Sequence, residues 1–439
     1  MAFALRDVLV TLVVFAGLPF ILRRPMIGIL MWAWLGYMNP HKLSWGFAHD
    51  MPFAQLVALT TMVGLLISRE AKKIPWTRET ILILIFTFWM FLTTTVALYP
   101  ESAWVGWNKI WKIILMTFVS MMIMTNRERI QAWVWVIALS LGFYGFKGGV
   151  FTLLTGGGYH VYGPVGTFIG GNNEVGLALI MTIPLLRYCQ LSTEKVWVKR
   201  LLLAGMVLCL LAVVGTQSRG AFLGVAAMTL YLVRNSRHKW AMFASLILAL
   251  PAIYFFMPES WHERMSSITH YHEDSSAMGR INSWMMAFHL ASDRFFGGGF
   301  DCFKPASFAI YAPSPLDVHD AHSIYFEVLG EHGFVGLAIF LAIGFSAWRS
   351  CVWIMRHTKD KEQLKWIYDL GAMLQVSLLG YAVSGAFLGL AYFDLYYNLI
   401  ALIVLAKTIT RKTLAGEVSA GTEVQSAPAV RSFIVKTRT

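Results

Sequence analysis

The sequence is short of charge. Only 14% of its 439 residues are Asp, Glu, Lys or Arg, where soluble domains average about one quarter. Cysteine is scarce as well. Cys189, Cys209, Cys302 and Cys351 form no CxxC pair and no zinc spacing. Cys302 stands alone in its polar stretch, so no intramolecular disulfide is expected there. The glycine-rich stretches at Gly156–Gly158 and around Gly166-Thr-Phe-Ile-Gly-Gly-Asn-Asn-Glu174 lack the Lys-Ser or Lys-Thr of a P-loop, and no Rossmann fingerprint occurs. The net charge of +12 comes without an arginine-rich arm or an aromatic-basic platform, so it does not indicate nucleic acid. The first apolar segment, Asp7 to Leu22, has no small-residue cleavage site and reads as a retained helix.

What the sequence has in abundance is apolar length. Hydrophobic residues make up 57% of the chain. They fall in runs at 7–22, 26–38, 53–68, 80–98, 108–125, 130–153, 173–192, 201–216, 220–234, 240–257, 333–354, 366–387 and 390–408. A soluble core could not bury so many runs, whereas a bilayer takes about 20 apolar residues per helix. The expected fold is an all-α polytopic membrane protein of about twelve (12–13) transmembrane helices. The first two runs, parted by Arg23-Arg24-Pro25, could form a hairpin that does not fully span.

Lys and Arg concentrate in alternate loops: Arg23 and Arg24, 69–78, Arg127 and Arg129, 187–200, 234–239, 349–365, and the tail beyond Lys407. The intervening stretches 39–52, 99–107, 154–172, 216–220, 258–332 and 388–390 are poor in both. Cytoplasmic loops retain positive charge. The basic set is therefore expected inside and the other set in the periplasm of a bacterial inner membrane. The division is then N-terminal helices over 1–257, a periplasmic loop over 258–332, C-terminal helices over 333–410, and a disordered cytoplasmic tail over 411–439. Loops longer than about 15 residues usually carry function, which singles out 258–332. Within it, Ser283 to Phe296 has helical periodicity with an apolar face and ends at Gly297-Gly298-Gly299, predicting a short helix on the membrane surface.

Four polar features resist a purely structural account. Arg219 falls where one apolar run meets the next. A charge near membrane depth costs a few kcal/mol, so it either snorkels to the interface or faces an anion. The run Asp317-Val318-His319-Asp320-Ala321-His322 precedes a predicted helix. A neutral imidazole there could take a proton from a hydroxyl, oriented by a carboxylate. HxxH with flanking acids could instead hold a cation, or Asp320 or Ser323 could simply cap the helix. Arg280 lies inside the long loop, where lone arginines are usually solvated. Asn172 and Asn173 could donate to a ligand or cap the helix beginning there.

Together these pieces resemble the O-antigen ligase / O-antigen polymerase superfamily. The resemblance rests on SRGAFLG around Arg219, GRINSW around Arg280, GGGFDCF near Gly299 and DAHSIYFEVLGEHGFVG around His322, where Ser323 replaces the family's usual asparagine. The N-terminal WAWLGYMNPHKLSWGFA, Trp32 to Ala48, is similar to the branch of exosortase-associated O-glycosylation ligases. The resemblance implies a GT-C-class glycosyltransferase. It would move a glycan from undecaprenyl pyrophosphate to an acceptor, the lipid A–core oligosaccharide, at the periplasmic face and without a metal or other cofactor. An O-antigen polymerase or a protein O-oligosaccharyltransferase would use the same donor. The family's histidine corresponds to His322 and its two arginines to Arg219 and Arg280; Asp320 and Asn173 are supporting candidates, while His319 and His332 read as structural. The absence of a DxD motif agrees with a lipid-borne donor. A lipid-linked sugar transporter, the alternative of another class, would carry midplane charges and repeats. Neither is seen.

Overall fold

The computed structural model describes residues 5–70, 72–235, 251, 254–259, 261–262 and 275–416. Among them there is no strand. The helices are α1 (Leu5–Arg23), α2 (Pro25–Tyr37), α3 (Phe53–Ile67), α4 (Arg78–Thr95), α5 (Pro100–Ile123), α6 (Arg127–Leu154), α7 (Asn172–Ser192), α8 (Val196–Gly215), α9 (Arg219–Asn235), α10 (Ser275–Asp293), α11 (Pro305–Tyr311), α12 (Ile324–Thr358), α13 (Lys365–Gly385) and α14 (Asp394–Leu414). Seven of the described helices are long and apolar enough to cross a membrane, and α2 and α3 are shorter apolar helices. The apolar run at 240–257 falls largely outside the described residues, as do most of the 411–439 tail and residues 263–274 of the long loop.

Starts and stops follow local chemistry. Thr77 and Thr80 form a reciprocal capping box on α4, and Asn126 accepts from the Arg129 amide to cap α6. Pro25, Pro100 and Pro305 open α2, α5 and α11, where a missing N–H costs nothing. Helix α14 is buried at every residue from Asp394 to Lys407 and forms the centre of the bundle. Helix α1 buries only Asp7, Val10, Val14 and Ile21 and lies at the periphery. Inside the bundle, Lys407 Nζ lies 3.2 Å from Glu79 Oε1, and the Ser350 hydroxyl donates to that oxygen at 2.5 Å. This buried pair ties α4, α12 and α14 together; removing one partner would strand a charge.

The alternation of loop charge becomes a physical separation. At one end Arg129 grips Glu70 at 2.6 and 2.8 Å, Arg127 lies over Trp366, and Gln190 donates to the Lys199 carbonyl. At the other end the stretches poor in Lys and Arg join one another. The Leu98 amide donates to Gly298, the Val161 amide to Gly215, the Gln217 side chain to Gly157, and Lys304 to Ser102. Asp7 accepts from the Ala48 amide at 2.8 Å, so the start of α1 sits at this second end as well.

The break after α10 is built against a kink in α12. Gly333 has φ 67° inside that helix. Just before the kink, three consecutive carbonyls accept bonds from outside the helix. The amides of Gly298 and Gly299 donate to Gly330 and Glu331, and the Trp89 indole donates to His332. Irregular backbone at membrane depth is stable only when satisfied in this way. A Cβ on Gly333 would lie 2.4 Å from the Phe295 carbonyl oxygen, and one on Gly297 (φ 69°) would lie 2.7 Å from the Gly333 amide. Gly333→Ala therefore combines a left-handed backbone penalty with overpacking. We expect a loss of at least about 2 kcal/mol, read as a lower unfolding temperature of the detergent-solubilised protein by intrinsic fluorescence. An unchanged transition would show that the backbone approach at Gly297 and Gly333 can relax.

Helix α12 starts at Ile324, ahead of the apolar run that begins at 333. The difference has a simple origin: residues 324–332 include Glu327, Glu331 and His332, which break the hydropathy while keeping the helix. Helix α10 likewise starts before the periodicity at Ser283, so Arg280 is a helical residue rather than one in open loop.

Candidate functional site

Arg219 begins α9 directly after a tight turn. Gln217 in that turn holds left-handed backbone at φ 53°, and the Ser384 hydroxyl donates to the Gly220 carbonyl at 3.0 Å. A Cβ on Gly220 would touch Phe387, so the turn carrying Arg219 packs on the C-terminal end of α13. Ile324 packs against Gly385 of the same helix end, and Gly389 lies beside the His322 amide. Arg219 and His322 therefore flank one feature, the end of α13 and the turn after it. They stand at the same end of the bundle.

GRINSW has a clear task residue by residue. Gly279 leaves room for the His319 ring. Asn282 bonds the backbone of Ser314 in both directions and donates to the Asp317 carbonyl. Ser283 donates to the His319 carbonyl at 3.0 Å. Trp284 donates to the Ala321 carbonyl at 2.8 Å and stacks on Phe326 at 4.9 Å. Helix α10 thus holds the 314–321 strap from below. Arg280, on the same turn of helix, acts electrostatically on His322.

His322 itself sits at φ 43°, a conformation that costs a non-glycine residue of order 1–3 kcal/mol and clusters at functional sites. Its imidazole is half-buried and forms no hydrogen bond among the described residues. Burial pushes it below the ordinary histidine value, the Arg280 guanidinium pushes the same way, and Asp320 opposes both. These surroundings favour the neutral imidazole, which has a ring nitrogen to accept a proton.

A cavity of about 500 Å³ opens beside it. Asp320, His322, Glu327, Glu331, Lys109 and Glu174 line it, and Phe168, Phe300, Phe303 and Tyr392 supply aromatic faces. Glu331 accepts from the Asp301 amide at 2.8 Å and from the Tyr392 hydroxyl at 2.5 Å. Glu327 accepts from the Ala391 amide at 3.0 Å. Neither Arg219 nor Arg280 lines this space.

The remaining sequence candidates resolve as follows. Asn173 is half-buried on the first turn of α7, next to Glu174. Gly171 occupies the N-cap of that helix without a side-chain bond, and Asn172 donates to the Thr216 carbonyl at 2.9 Å, so neither asparagine caps it. Ser323 is the N-cap of α12, but its hydroxyl makes no capping bond. His319 pairs with Asp317 at 2.7 Å. His332 is fully buried, bonded to Thr93 at 2.7 Å and packed edge-on to Phe300. Among the described residues no group of three or more His, Cys, Asp and Glu could hold a metal ion. All four cysteines are buried free thiols. Sequence reasoning missed Lys109, Glu327, Glu331 and Tyr392. The signal for the two glutamates was their i, i+4 spacing, which puts both on one helix face.

These features define a polytopic helical membrane protein with an ionisable cavity at the end opposite its basic loops. Residues 204–341 match the family model described as O-antigen ligase, Wzy_C. Those residues form a domain of the O-antigen ligase / O-antigen polymerase superfamily, and they contain Arg219, Arg280 and His322. Residues 5–193 match a family of unknown function, DUF5935. No curated protein matches the chain.

Proposed function

We propose that this protein is a GT-C-class O-antigen ligase. It transfers a glycan from undecaprenyl pyrophosphate to the lipid A–core oligosaccharide at the periplasmic face of the bacterial inner membrane. The observation that carries this reading is the placement of His322, whose imidazole forms no hydrogen bond among the described residues, within electrostatic reach of Arg280 and in the lining of a cavity in the Lys/Arg-poor end. The positive-inside rule puts that end in the periplasm. With the start of α1 at the same end, thirteen crossings fit the chain, counting the run at 240–257.

The chemistry follows from the residue types. A hydroxyl oxygen of the acceptor attacks the anomeric carbon while its proton passes to His322. The bond from that carbon to the diphosphate oxygen breaks, and the electron pair leaves with the diphosphate. One direct displacement inverts the anomeric centre. The leaving group carries its charge without needing a proton, and guanidinium forks of Arg219 and Arg280 match its oxygens. A low-dielectric pocket magnifies their effect. Membrane lipid around the bundle accommodates the polyprenyl tail and so positions the head.

Purified protein given the lipid pyrophosphate donor and lipid A–core should make the capped product without added metal. A second lipid-linked repeat or a pilin-like peptide offered in parallel distinguishes a polymerase or a protein O-oligosaccharyltransferase. Transport of the donor without bond cleavage would overturn the reading. The pH dependence gives a second test. Because His322 titrates below the ordinary 6.5, kcat/KM should hold down to mildly acidic pH and fall only below it. Arg280→Gln removes a neighbouring positive charge, so the residual activity should lose its acid limb at higher pH than the parent. An unshifted limb would separate Arg280 from His322.

A further inference from the structure

Among the described residues, the cavity beside His322 is lined by Glu174, Asp301, Asp320, Glu327 and Glu331 but by one lysine or arginine, Lys109. Lys109 belongs to α5, in the part of the chain that matches the family of unknown function. Its ammonium lies 3.5 Å from the centroid of the Phe168 ring and within electrostatic reach of Asp394 and Glu327. It makes no hydrogen bond to a described residue, so the donors not turned to the ring remain available to the cavity. The two arginines suited to a diphosphate stand outside this lining, and His322 belongs to it.

We propose that this cavity is the acceptor chamber, that it takes an uncharged polyol, and that Lys109 is its specificity-determining residue. The assignment rests on the transfer reading above. A carboxyl group and an ammonium lining one cavity match two hydroxyls of a sugar: Glu327 accepts from one, and Lys109 donates to the oxygen of the other. The aromatic walls cover the apolar face of a sugar ring, as in other pockets that combine apolar lining with a few polar anchors. A phosphate monoester fits badly, because it would replace hydroxyl donors with negative charge among several acids. Charge thus sorts the two substrates. The diphosphate is drawn to the arginines and the neutral hydroxyl to the carboxylate side, with the imidazole between them.

The test uses the full-length protein in lipid nanodiscs and an undecaprenyl pyrophosphate-linked oligosaccharide. Two lipid-anchored glycoside acceptors differ only in a phosphate monoester on the terminal hexose. We expect kcat/KM for the phosphorylated acceptor to be at least about 10-fold lower. Lys109→Met should raise KM for the neutral acceptor by about 10–100-fold, the worth of one charge-assisted hydrogen bond. It should leave donor KM and the acid limb of the pH profile in place, and Lys109→Arg should recover most of the acceptor KM. Equal use of both acceptors, an unchanged acceptor KM in Lys109→Met, or a raised donor KM would overturn the chamber assignment while leaving transfer intact. No transfer by the parent protein to either acceptor would overturn the transfer reading itself, and the chamber with it.

Discussion

Replacing His322 by alanine should cut transfer by about 10²–10⁴-fold, the usual contribution of a positioned general base. Neither of the other described histidines beside the strap can substitute. His319 is paired with Asp317 and packed over Gly279, and His332 is sealed among Thr93, Phe86 and Phe300. Folding should survive, because the imidazole makes no hydrogen bond within the described structure that the bundle would lose. The backbone offers an internal control. Position 322 is left-handed at φ 43°, so alanine keeps the strain, whereas glycine releases it. His322→Gly should therefore be as inactive as His322→Ala yet as thermally stable as the parent, or more so. Product ladders from purified protein together with unfolding temperatures measure both quantities. Retention of a tenth or more of the parent rate in His322→Ala would remove the imidazole from the chemistry.

The sequence already disclosed most of the helices, since lipid-facing and buried helices alike must be apolar over a fixed length. The alternation of Lys and Arg anticipated which loops meet at each end. Where the reading fell short, the cause was local. Glu327, Glu331 and His332 interrupt the apolar run before Gly333, so the helix start at Ile324 was not visible in hydropathy. Gly297 and Gly299 looked like a stop signal. Their further purpose, close approach of Gly297 to the α12 kink and of Gly299 to Ala97 beyond the end of α4, depends on contacts between segments far apart in the chain. Lys109 is the clearest case. A lysine at the edge of an apolar run reads as an interfacial anchor, and only the packing of α5 against α14 brings it into the lining that Glu327 shares.

Arg219→Lys should lower transfer by about 10²–10³-fold, comparable to losing one preorganised donor at a developing charge. The substitution preserves the positive charge, so a role based on net charge alone predicts little change. A snorkelling role predicts the same, because lysine reaches the interface as readily as arginine. A diphosphate grip predicts a large loss, since an ammonium cannot present two parallel N–H groups to two oxygens. The surroundings favour the demanding role. Arg219 is held at the first turn of α9 by a strained Gln217, by the Ser384 bond to Gly220 and by packing on Phe387. Those constraints fix the base of the side chain beside the α13 end that also abuts His322, which a residue merely seeking water does not require. The loss should appear mainly in kcat, because charge grows on the diphosphate only as its bond to the sugar breaks, with a smaller rise in donor KM. Near-parent activity in Arg219→Lys, measured with saturating donor and acceptor, would return Arg219 to the role of an interfacial anchor and leave Arg280 alone with the leaving group.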